Sequence, residues 1–258
     1  AIIGAASSGV SFTVIDKITG ANVIQFSGAN TSPDFTDYDD NGLYFRTAPS
    51  DVLQGRVLSD LIVADGNATV GIMARQDPYG EGLLQYTAEP LAEAGAEVLN
   101  DGGIVYDPAA ENFDAEVGEI VAADPDAFVM IGFEESAQIL TSLFEAGYTQ
   151  GEKNIYLVDG NIGNALAENF TDPGILEGIR GTLPSAEVSQ EFKDRLLEVD
   201  PALEDFSYAP ENYDAIITAC EALGQLGKPE EHLTGYGVGI EDRLTGAHET
   251  QRYDQFSY

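Results

Sequence analysis

One stretch, residues 69–99, constrains the fold more than any other part of the sequence. An apolar run, Thr69–Ala74, ends in the polar turn Arg75–Gly80, and helical 3.6-residue spacing begins at Glu81. This order is typical of a buried parallel strand that leads into its crossover helix. Ligands of such folds bind outside the carboxyl ends of the strands, so Tyr79 in this turn is a candidate binding residue. The alternative is that Tyr79 only packs its ring against the start of the helix.

The same alternation extends along the chain and predicts an α/β protein with parallel sheets flanked by helices. With 258 residues, 43% of them hydrophobic, the chain can bury the core of one large or two medium domains. The predicted strands lie at 1–3, 23–26, 43–46, 69–74, 104–106, 127–131 and 154–158. The predicted helices lie at 7–19, 51–65, from 81, at 113–123, 134–146, 165–170, 188–199 and 211–226.

The second half of the chain carries two expectations about the sheet. The sheet that begins at Thr69 is expected to be complete at Val158, with residues 178–184 as a link back to the first lobe. The tail from Gly227 is rich in glycine and polar residues, and we expect at most one strand there, near residues 252–256.

Two helices carry explicit packing predictions. The helix capped by Ser50 is expected to bury one apolar stripe, formed by Leu53, Val57, Leu58, Leu61 and Ile62. Cys220 is the single cysteine, which excludes an internal disulfide. Because its helical neighbours are apolar, we expect it to be a buried thiol.

The charge balance excludes some partners. The chain has 45 Asp and Glu against 11 Lys and Arg, a net charge of −34. Such a surface repels nucleic acid and anionic membranes, so we expect no nucleic-acid partner. The acids are spread along the chain instead of forming a tail, which is typical of a halophile's surface, where salt screens the repulsion.

The sequence offers little for catalysis or metal binding. His232 and His248 are the two histidines, and both lie in the weakly structured tail. Residues 37–42 imitate the start of a calcium loop, but position twelve is Ala48 instead of the required Glu, which favours a solvated acidic turn. We therefore expect no catalytic residue, no metal and no cofactor. No signal peptide or membrane span is visible.

Polar side chains recur where predicted strands end. Ser8 follows the first strand at a helix N-terminus, which suits a carboxylate, and Thr31 follows the second strand. Tyr79, Phe133 and Asp159 follow three later strands. Hydroxyl donors in one group and an acid with aromatic rings in the other are what a zwitterion needs. Ordinary caps and turns use the same residue types, so this pattern leaves both interpretations open.

Several motifs in consistent order resemble one family. They are residues 3–8 (IGAASS), 25–33 (QFSGANTSP), 44–51 (YFRTAPSD), 79–82 (YGEG), 178–184 (GIRGTLP) and 211–215 (ENYDA). Over residues 1 to about 225, the chain resembles the type I solute-binding proteins of branched-chain amino acid ABC transporters. That resemblance implies two Rossmann-like lobes joined by three crossovers, with the ligand held in the cleft between them.

The resemblance also implies roles for individual residues. Ser8, Thr31 and the backbone of Ala29 and Asn30 would bind the ligand carboxylate, Tyr79 and Phe133 would be cleft aromatics, and Asp159 would pair with the ammonium. The family often has Tyr at the position of Phe133. Its acid aligns at Asp159 or one place away, at Gly160, and Glu134 is an alternative ammonium partner.

The resemblance further implies domain limits, location and partners. Residues 1–47 and 184–240 would form the first lobe and 48–183 the second, and the tail 241–258 could return to the second lobe. The protein would be an extracytoplasmic, membrane-anchored solute-binding protein, not an enzyme, that delivers an amino acid to an ABC transporter permease. A urea or short-amide receptor, and a Rossmann-like enzyme, are the alternatives.

The family begins with βα units that precede the strand at Ala1, and this sequence has none. We therefore expect a first lobe with an open strand edge and exposed apolar surface beside Ile2 and Ile24. The second lobe should be well packed. Tight ligand binding is expected only when an N-terminal segment supplies those units.

Overall fold

The computed structural model describes residues 1–185, 188–226 and 252–257. The strands are β1 (Ile2–Ile3), β2 (Gln25–Ser27), β3 (Tyr44–Arg46), β4 (Thr69–Arg75), β5 (Glu97–Val98), β6 (Ile104–Tyr106), β7 (Ala127–Ile131), β8 (Asn154–Leu157), β9 (Arg180–Ser185) and β10 (Arg252–Ser257). The helices are α1 (Ser8–Thr19), α2 (Asp51–Ala64), α3 (Pro78–Glu93), the short α4 (Leu99–Gly102), α5 (Asp114–Ala123), α6 (Ser136–Glu145), the short α7 (Asn164–Ala167), α8 (Gln190–Val199) and α9 (Ala209–Leu226).

The chain divides into two compact units. Unit 1 comprises Ala1–Ser50 and Pro184–Arg252, and unit 2 comprises Asp51–Leu183 and Tyr253–Tyr258. Each unit has its own sheet, and the strand pairs of known register are all parallel. The α/β fold class with parallel, helix-flanked sheets is confirmed.

Unit 2 is built on a seven-stranded sheet with helices on both faces. Its strand order is β10-β9-β8-β7-β4-β5, and β6 also pairs with β4. In β7 every residue is buried, and alternate side chains enter different hydrophobic clusters. Phe128 and Met130 join one cluster, whereas Val129 and Ile131 join the other. Since successive side chains of a strand point to opposite faces, unit 2 has a core on each side of its sheet.

The prediction that this sheet ends at Val158 is wrong. The segment expected to be a link forms β9, with Gly181 opposite Leu157 of β8, and β10 lies beyond it. Gly and Pro in this segment resemble loop signals. Here Gly181 is required by packing, because a Cβ would collide with the Leu157 carbonyl and the Ile162 side chain.

Helix α2 packs more closely on α3 than its apolar stripe predicts. Leu58, Leu61 and Ile62 are buried as expected, but Leu53 is 40% exposed. The contact face instead includes Gly55, where a Cβ would collide with the backbone of Tyr86 in α3. The helices approach so closely that small and polar residues of α2 lie between them, and Leu53 is displaced to the surface.

Unit 1 has a smaller sheet, in the order β1-β2-β3. Ile2 N–H donates to Ile24 O and Gly4 N–H to Phe26 O, both at 2.8 Å, so β1 pairs with β2 through alternate residues. Within the described part of the chain β1 lies at the sheet edge, and Ile2 and Ile3 are 45% and 39% exposed. The expectation of an open edge in the first lobe stays a prediction, because residues 227–251 lie outside the described part of the chain.

Helix α9 covers the unit 1 sheet with its alanines. Ala215 and Ala219 are buried against Phe26 and Phe45. The prediction that Cys220 is a buried thiol is wrong, because Cys220 is exposed. The two phenyl rings fill the space above the sheet, so small side chains of α9 fit there, whereas Ile216 and Ile217 of the same helix are 46% and 39% exposed.

The described residues contain neither a candidate metal site nor a candidate membrane-spanning helix. No group of His, Cys, Asp and Glu side chains there could hold a metal ion, and His232 and His248 lie outside the described residues. In the acidic turn, the Asp40 carboxylate accepts the N–H groups of Gly42 and Leu43 at 2.6 and 3.2 Å, as expected for a turn. In the same part of the chain, no helix has the length and apolarity needed to cross a bilayer.

Candidate functional site

The candidate site residues of unit 2 follow three neighbouring strands. Tyr79, Phe133 and Asp159 follow the ends of β4, β7 and β8, which lie side by side in the sheet. Because these strands are parallel, their carboxyl ends meet at one edge, and the three side chains are brought together there.

Tyr79 is placed by the cap of α3. Asp77 Oδ1 accepts the N–H groups of Tyr79 and Gly80 at 3.0 and 2.8 Å, and Pro78 occupies the first helical position. An N-cap acid followed by Pro begins a helix at a defined residue. The sequence places the helix start at Glu81, whereas the cap starts it three residues earlier, and Tyr79 is thereby fixed in the first turn.

Tyr79 and Asp159 form the central contact of the site. The Tyr79 hydroxyl donates to Asp159 Oδ1 at 2.7 Å and accepts the Gly160 N–H at 3.1 Å. The Tyr79 side chain is buried, and this burial, followed by the charges of Asp159 and Asp51, raises its pKa well above the ordinary value. Tyr79 therefore stays protonated near neutral pH and keeps donating to the Asp159 carboxylate.

Phe133 forms the aromatic part of the site. Its ring stacks on Tyr79 with the centroids 5.3 Å apart and the planes 8° apart, and it is half-buried. At Gly160 a Cβ would lie 2.8 Å from both the Phe133 ring and the Tyr79 hydroxyl. An acid at position 160 therefore does not fit, and Asp159 is the acid that this geometry brings to the aromatic pair.

Sequence reasoning missed a polar network beside this pair. Arg75 lies 2.7 Å from Asp77 and 2.8 Å from Glu135, and Glu135 also accepts the Tyr106 hydroxyl at 2.8 Å. Glu134, the alternative ammonium partner, is exposed. The available signal was Arg75 itself, a charged residue at the end of a buried strand, which requires an acidic partner.

Unit 1 holds the second group of candidate residues. Ser7 caps α1 by accepting the Val10 N–H at 3.5 Å, and Ser8 Oγ accepts the Ser32 N–H at 3.3 Å. Ser8 and Thr31 are buried. No hydrogen bond of the Thr31 hydroxyl, and none donated by the Ser8 hydroxyl, occurs among the described residues, so both remain candidate donors for a carboxylate.

Asn30 and Ala29 are engaged within unit 1. The Asn30 side chain accepts the Tyr44 hydroxyl at 2.8 Å and donates to the carbonyls of Ala5 and Ala6 at 3.0 and 2.8 Å. The N–H groups of Ala29 and Asn30 donate to Ser27 Oγ at 3.2 and 3.1 Å. These bonds hold the loop that presents Thr31, and they occupy the backbone donors that the resemblance assigns to the ligand carboxylate.

Among the known proteins that the chain resembles, one matches a short stretch and two solved structures match most of its length. A glutamine synthetase from Streptomyces hygroscopicus is 71% identical over 48 residues, which is 19% of this chain and 14% of that enzyme. A leucine-binding protein from Thermotoga maritima has the same fold, with a TM-score of 0.78, 20% identity, and coverage of 95% of this chain and 67% of that protein. An ABC transporter substrate-binding protein from Desulfitobacterium hafniense in complex with Leu has a TM-score of 0.70 and 21% identity, covering 94% of this chain and 69% of that protein.

The solved structures confirm the type I periplasmic binding fold that the resemblance implies. The chain spans 14% of the glutamine synthetase, too little to carry that enzyme's activity over, and about two thirds of each solved structure. The family described as the receptor family ligand binding region matches residues 1–250. This chain belongs to that family of ligand-binding regions.

Proposed function

We propose that the protein is an extracytoplasmic solute-binding protein of an ABC transporter, which captures an amino acid, branched-chain or similar, and delivers it to a membrane permease. The observation that carries this proposal is the Asp159 carboxylate, held at 2.7 Å by the Tyr79 hydroxyl beside the stacked Phe133 ring. A fixed carboxylate next to an aromatic surface suits an ammonium group, by charge pairing and by cation–π attraction.

Unit 1 carries residue types that suit the other charged group of an amino acid. The Ser8 and Thr31 hydroxyls suit a carboxylate, and Ser8 lies in the first turn of α1, where the helix dipole favours negative charge. An amino acid carries both an ammonium group, which suits Asp159, and a carboxylate, which suits these hydroxyls. Urea or a short amide would use Asp159 but would leave these hydroxyls without a charged partner. Of the two solved structures compared above, one is a leucine-binding protein and the other is in complex with Leu.

The test is titration calorimetry with L-leucine in molar KCl. It is run on the 258-residue chain and, in parallel, on the chain extended by the N-terminal βα units that the family resemblance implies. Asp159→Asn should weaken binding by about 2 to 5 kcal/mol, because the ligand ammonium loses its charged partner. Glu134→Gln, which changes an exposed acid nearby, is the matched control and should bind as the wild type does.

Two results would contradict the proposal. Wild-type affinity in Asp159→Asn together with loss of binding in Glu134→Gln would move the ammonium site to Glu134. Thermal stabilisation of both chain forms by acetamide or nucleotides, but by no amino acid, would favour the amide receptor or the enzyme, since a ligand that binds only the folded state raises its stability.

A further inference from the structure

We propose that Arg75 is a positioning residue for the candidate site: its guanidinium ties the turn after β4 to the turn after β7 and fixes the Phe133 ring against Tyr79. The part of this inference that concerns ligand affinity rests on the proposed function. The part that concerns the two turns does not.

The first contact of Arg75 is with the cap of α3. Arg75 Nε donates to Asp77 Oδ2 at 2.7 Å, while Asp77 Oδ1 accepts the N–H groups of Tyr79 and Gly80. One carboxylate thus joins the guanidinium to the helix turn that carries Tyr79. The pair is mostly buried, with side-chain exposures of 15% and 14%, so water screens it less than a surface ion pair.

The second contact is with the turn that carries Phe133. An Arg75 terminal nitrogen donates to Glu135 Oε1 at 2.8 Å, and the same oxygen accepts the Tyr106 hydroxyl at 2.8 Å and the Phe133 N–H at 3.2 Å. Glu135 therefore holds the Phe133 backbone, and Arg75 and Tyr106 hold Glu135.

The third contact is with the ring itself. The guanidinium carbon of Arg75 lies 4.0 Å from the centroid of the Phe133 ring, a close cation–π distance. Arginine can do this while it donates from two nitrogens to two carboxylates, because its planar group has several donors in fixed directions. Lysine has a single charged nitrogen and cannot reproduce all three contacts.

Two glycines show that the surrounding packing is specific for this arrangement. A Cβ on Gly80 would collide with the Arg75 carbonyl oxygen and with its Cγ. A Cβ on Gly132, directly before Phe133, would collide with the Tyr106 hydroxyl. Both turns therefore lie so close to the Arg75 and Tyr106 side chains that only glycine fits at these two positions. This close packing is expected if the network fixes the distance between the turns.

The first test needs no ligand. In Arg75→Met, amide exchange measured by NMR should be faster at Phe133, whose N–H donates to Glu135, while amides of β8 and α6 keep their wild-type rates. Arg56→Met is the matched control, because Arg56 is 58% exposed and pairs only with the exposed acids Asp60 and Glu93 among the described residues. It should leave Phe133 unchanged. Wild-type exchange at Phe133 in Arg75→Met would overturn the proposal.

The second test uses L-leucine and separates positioning from general stability. Arg75→Met should raise Kd by about tenfold or more, and Arg75→Lys should recover less than half of that loss on a logarithmic scale, since lysine keeps the charge but not the geometry. In a Phe133→Leu background, Arg75→Met should raise Kd by a clearly smaller factor than in the wild type, because the ring is gone and only the link through Asp77 to the Tyr79 turn is left to lose.

The outcomes are distinguishable from failure of the proposed function. If neither the 258-residue chain nor the extended chain binds any amino acid, the amino-acid proposal fails, and the Phe133 exchange still decides the role of Arg75. A different result would show the positioning role to be wrong: Arg75→Met lowers the melting temperature and speeds exchange throughout unit 2, while Arg75→Lys behaves as the wild type. Arg75 would then only stabilise unit 2 through its ion pairs.

Discussion

Unit 1 and unit 2 are both built on parallel sheets with helices, but they differ in how many side chains their hydrophobic clusters bury. Among the described residues, the unit 2 clusters contain 18 and 15 buried side chains, whereas those of unit 1 contain four and three. Unit 2 has a central pair of strands, β4 and β7, with neighbours on both sides, while the described sheet of unit 1 has β1 at its edge. We expect unit 2 to be more rigid than unit 1, because local stability within a protein increases with local burial.

The difference also separates the two groups of candidate site residues. In unit 2, Tyr79 and Asp159 are fixed by a buried hydroxyl, a helix cap and the ion network around Arg75. In unit 1, the loop carrying Thr31 is held by hydrogen bonds from Asn30 and Ser27 to nearby backbone. We therefore expect unit 2 to present its acid and rings in one arrangement, and unit 1 to be the more deformable partner.

The largest effect is expected from a substitution in the core of unit 2. Phe128→Ala should lower the unfolding free energy by about 3 to 5 kcal/mol, because it removes a fully buried ring from the larger cluster. The matched change in unit 1 is Phe26→Ala, which should cost ~3 kcal/mol, since the small cluster around it can collapse more easily. Urea denaturation measures both. A larger loss for Phe26→Ala would reverse the comparison.

Salt should produce the next largest effect and should act more on unit 1. With a net charge of −34, molar KCl screens self-repulsion and favours the compact state. We expect the melting temperature to rise by ~4 to 8 °C between 0.1 M and several molar KCl, corresponding to about 2 kcal/mol for a chain of this size. Unit 1 has less buried surface to offset repulsion, so its amides should gain more protection. An unchanged melting temperature would remove the halophile interpretation.

Much of this fold could be predicted because strand and helix patterns are local. The predicted strand at 69–74 differs from β4 by one residue, and the predicted helix at 7–19 begins one residue before α1. The failures depend on distant contacts. From its sequence context Gly181 is assigned to a loop, but in the structure it is a strand residue packed against β8. From its sequence context Cys220 is assigned to the core, but in the structure Phe26 and Phe45 fill that space.

The candidate site, too, has local features that the sequence predicts and distant contacts that it does not. The positions of Tyr79, Phe133 and Asp159 at strand ends follow from periodicity alone, and the resemblance gives their roles. The contacts among them do not follow, because β4, β7 and β8 become neighbours only in the sheet. Arg75 and Glu135 are 60 residues apart in the chain, so no local pattern pairs them.

The smallest expected effect concerns a carboxylate that joins β4 and β7 at their amino ends. Asp126 Oδ2 accepts the N–H groups of Ala68 and Thr69, each at 3.0 Å, and these bonds lower its pKa from the ordinary 3.8. A lowered folded-state pKa stabilises the fold above pH 3.8, and this contribution is lost as pH falls through the folded-state value.

Asp126→Asn should therefore lower the unfolding free energy near neutral pH by about 0.5 to 1 kcal/mol, a small amount because the group is exposed and screened. The difference from wild type should shrink below pH 3.8. Asp60→Asn, which removes an exposed acid of α2 that contacts Arg56, is the control for the loss of one surface charge. Thermal melts from pH 2 to 7 check this, and a difference that grows on acidification would contradict it.

Residue-resolved hydrogen exchange tests the contrast between the units most directly. The amides of Ile72 in β4 and Val129 in β7 should exchange only through global unfolding, whereas Gln25 in β2 should exchange more than about tenfold faster through local opening, a difference of about 1.4 kcal/mol. Within β1, the Ile2 and Gly4 amides, which donate to β2, should be slower than the Ile3 amide between them. Equal protection of Gln25 and Val129, together with slow exchange at Ile3, would contradict the account.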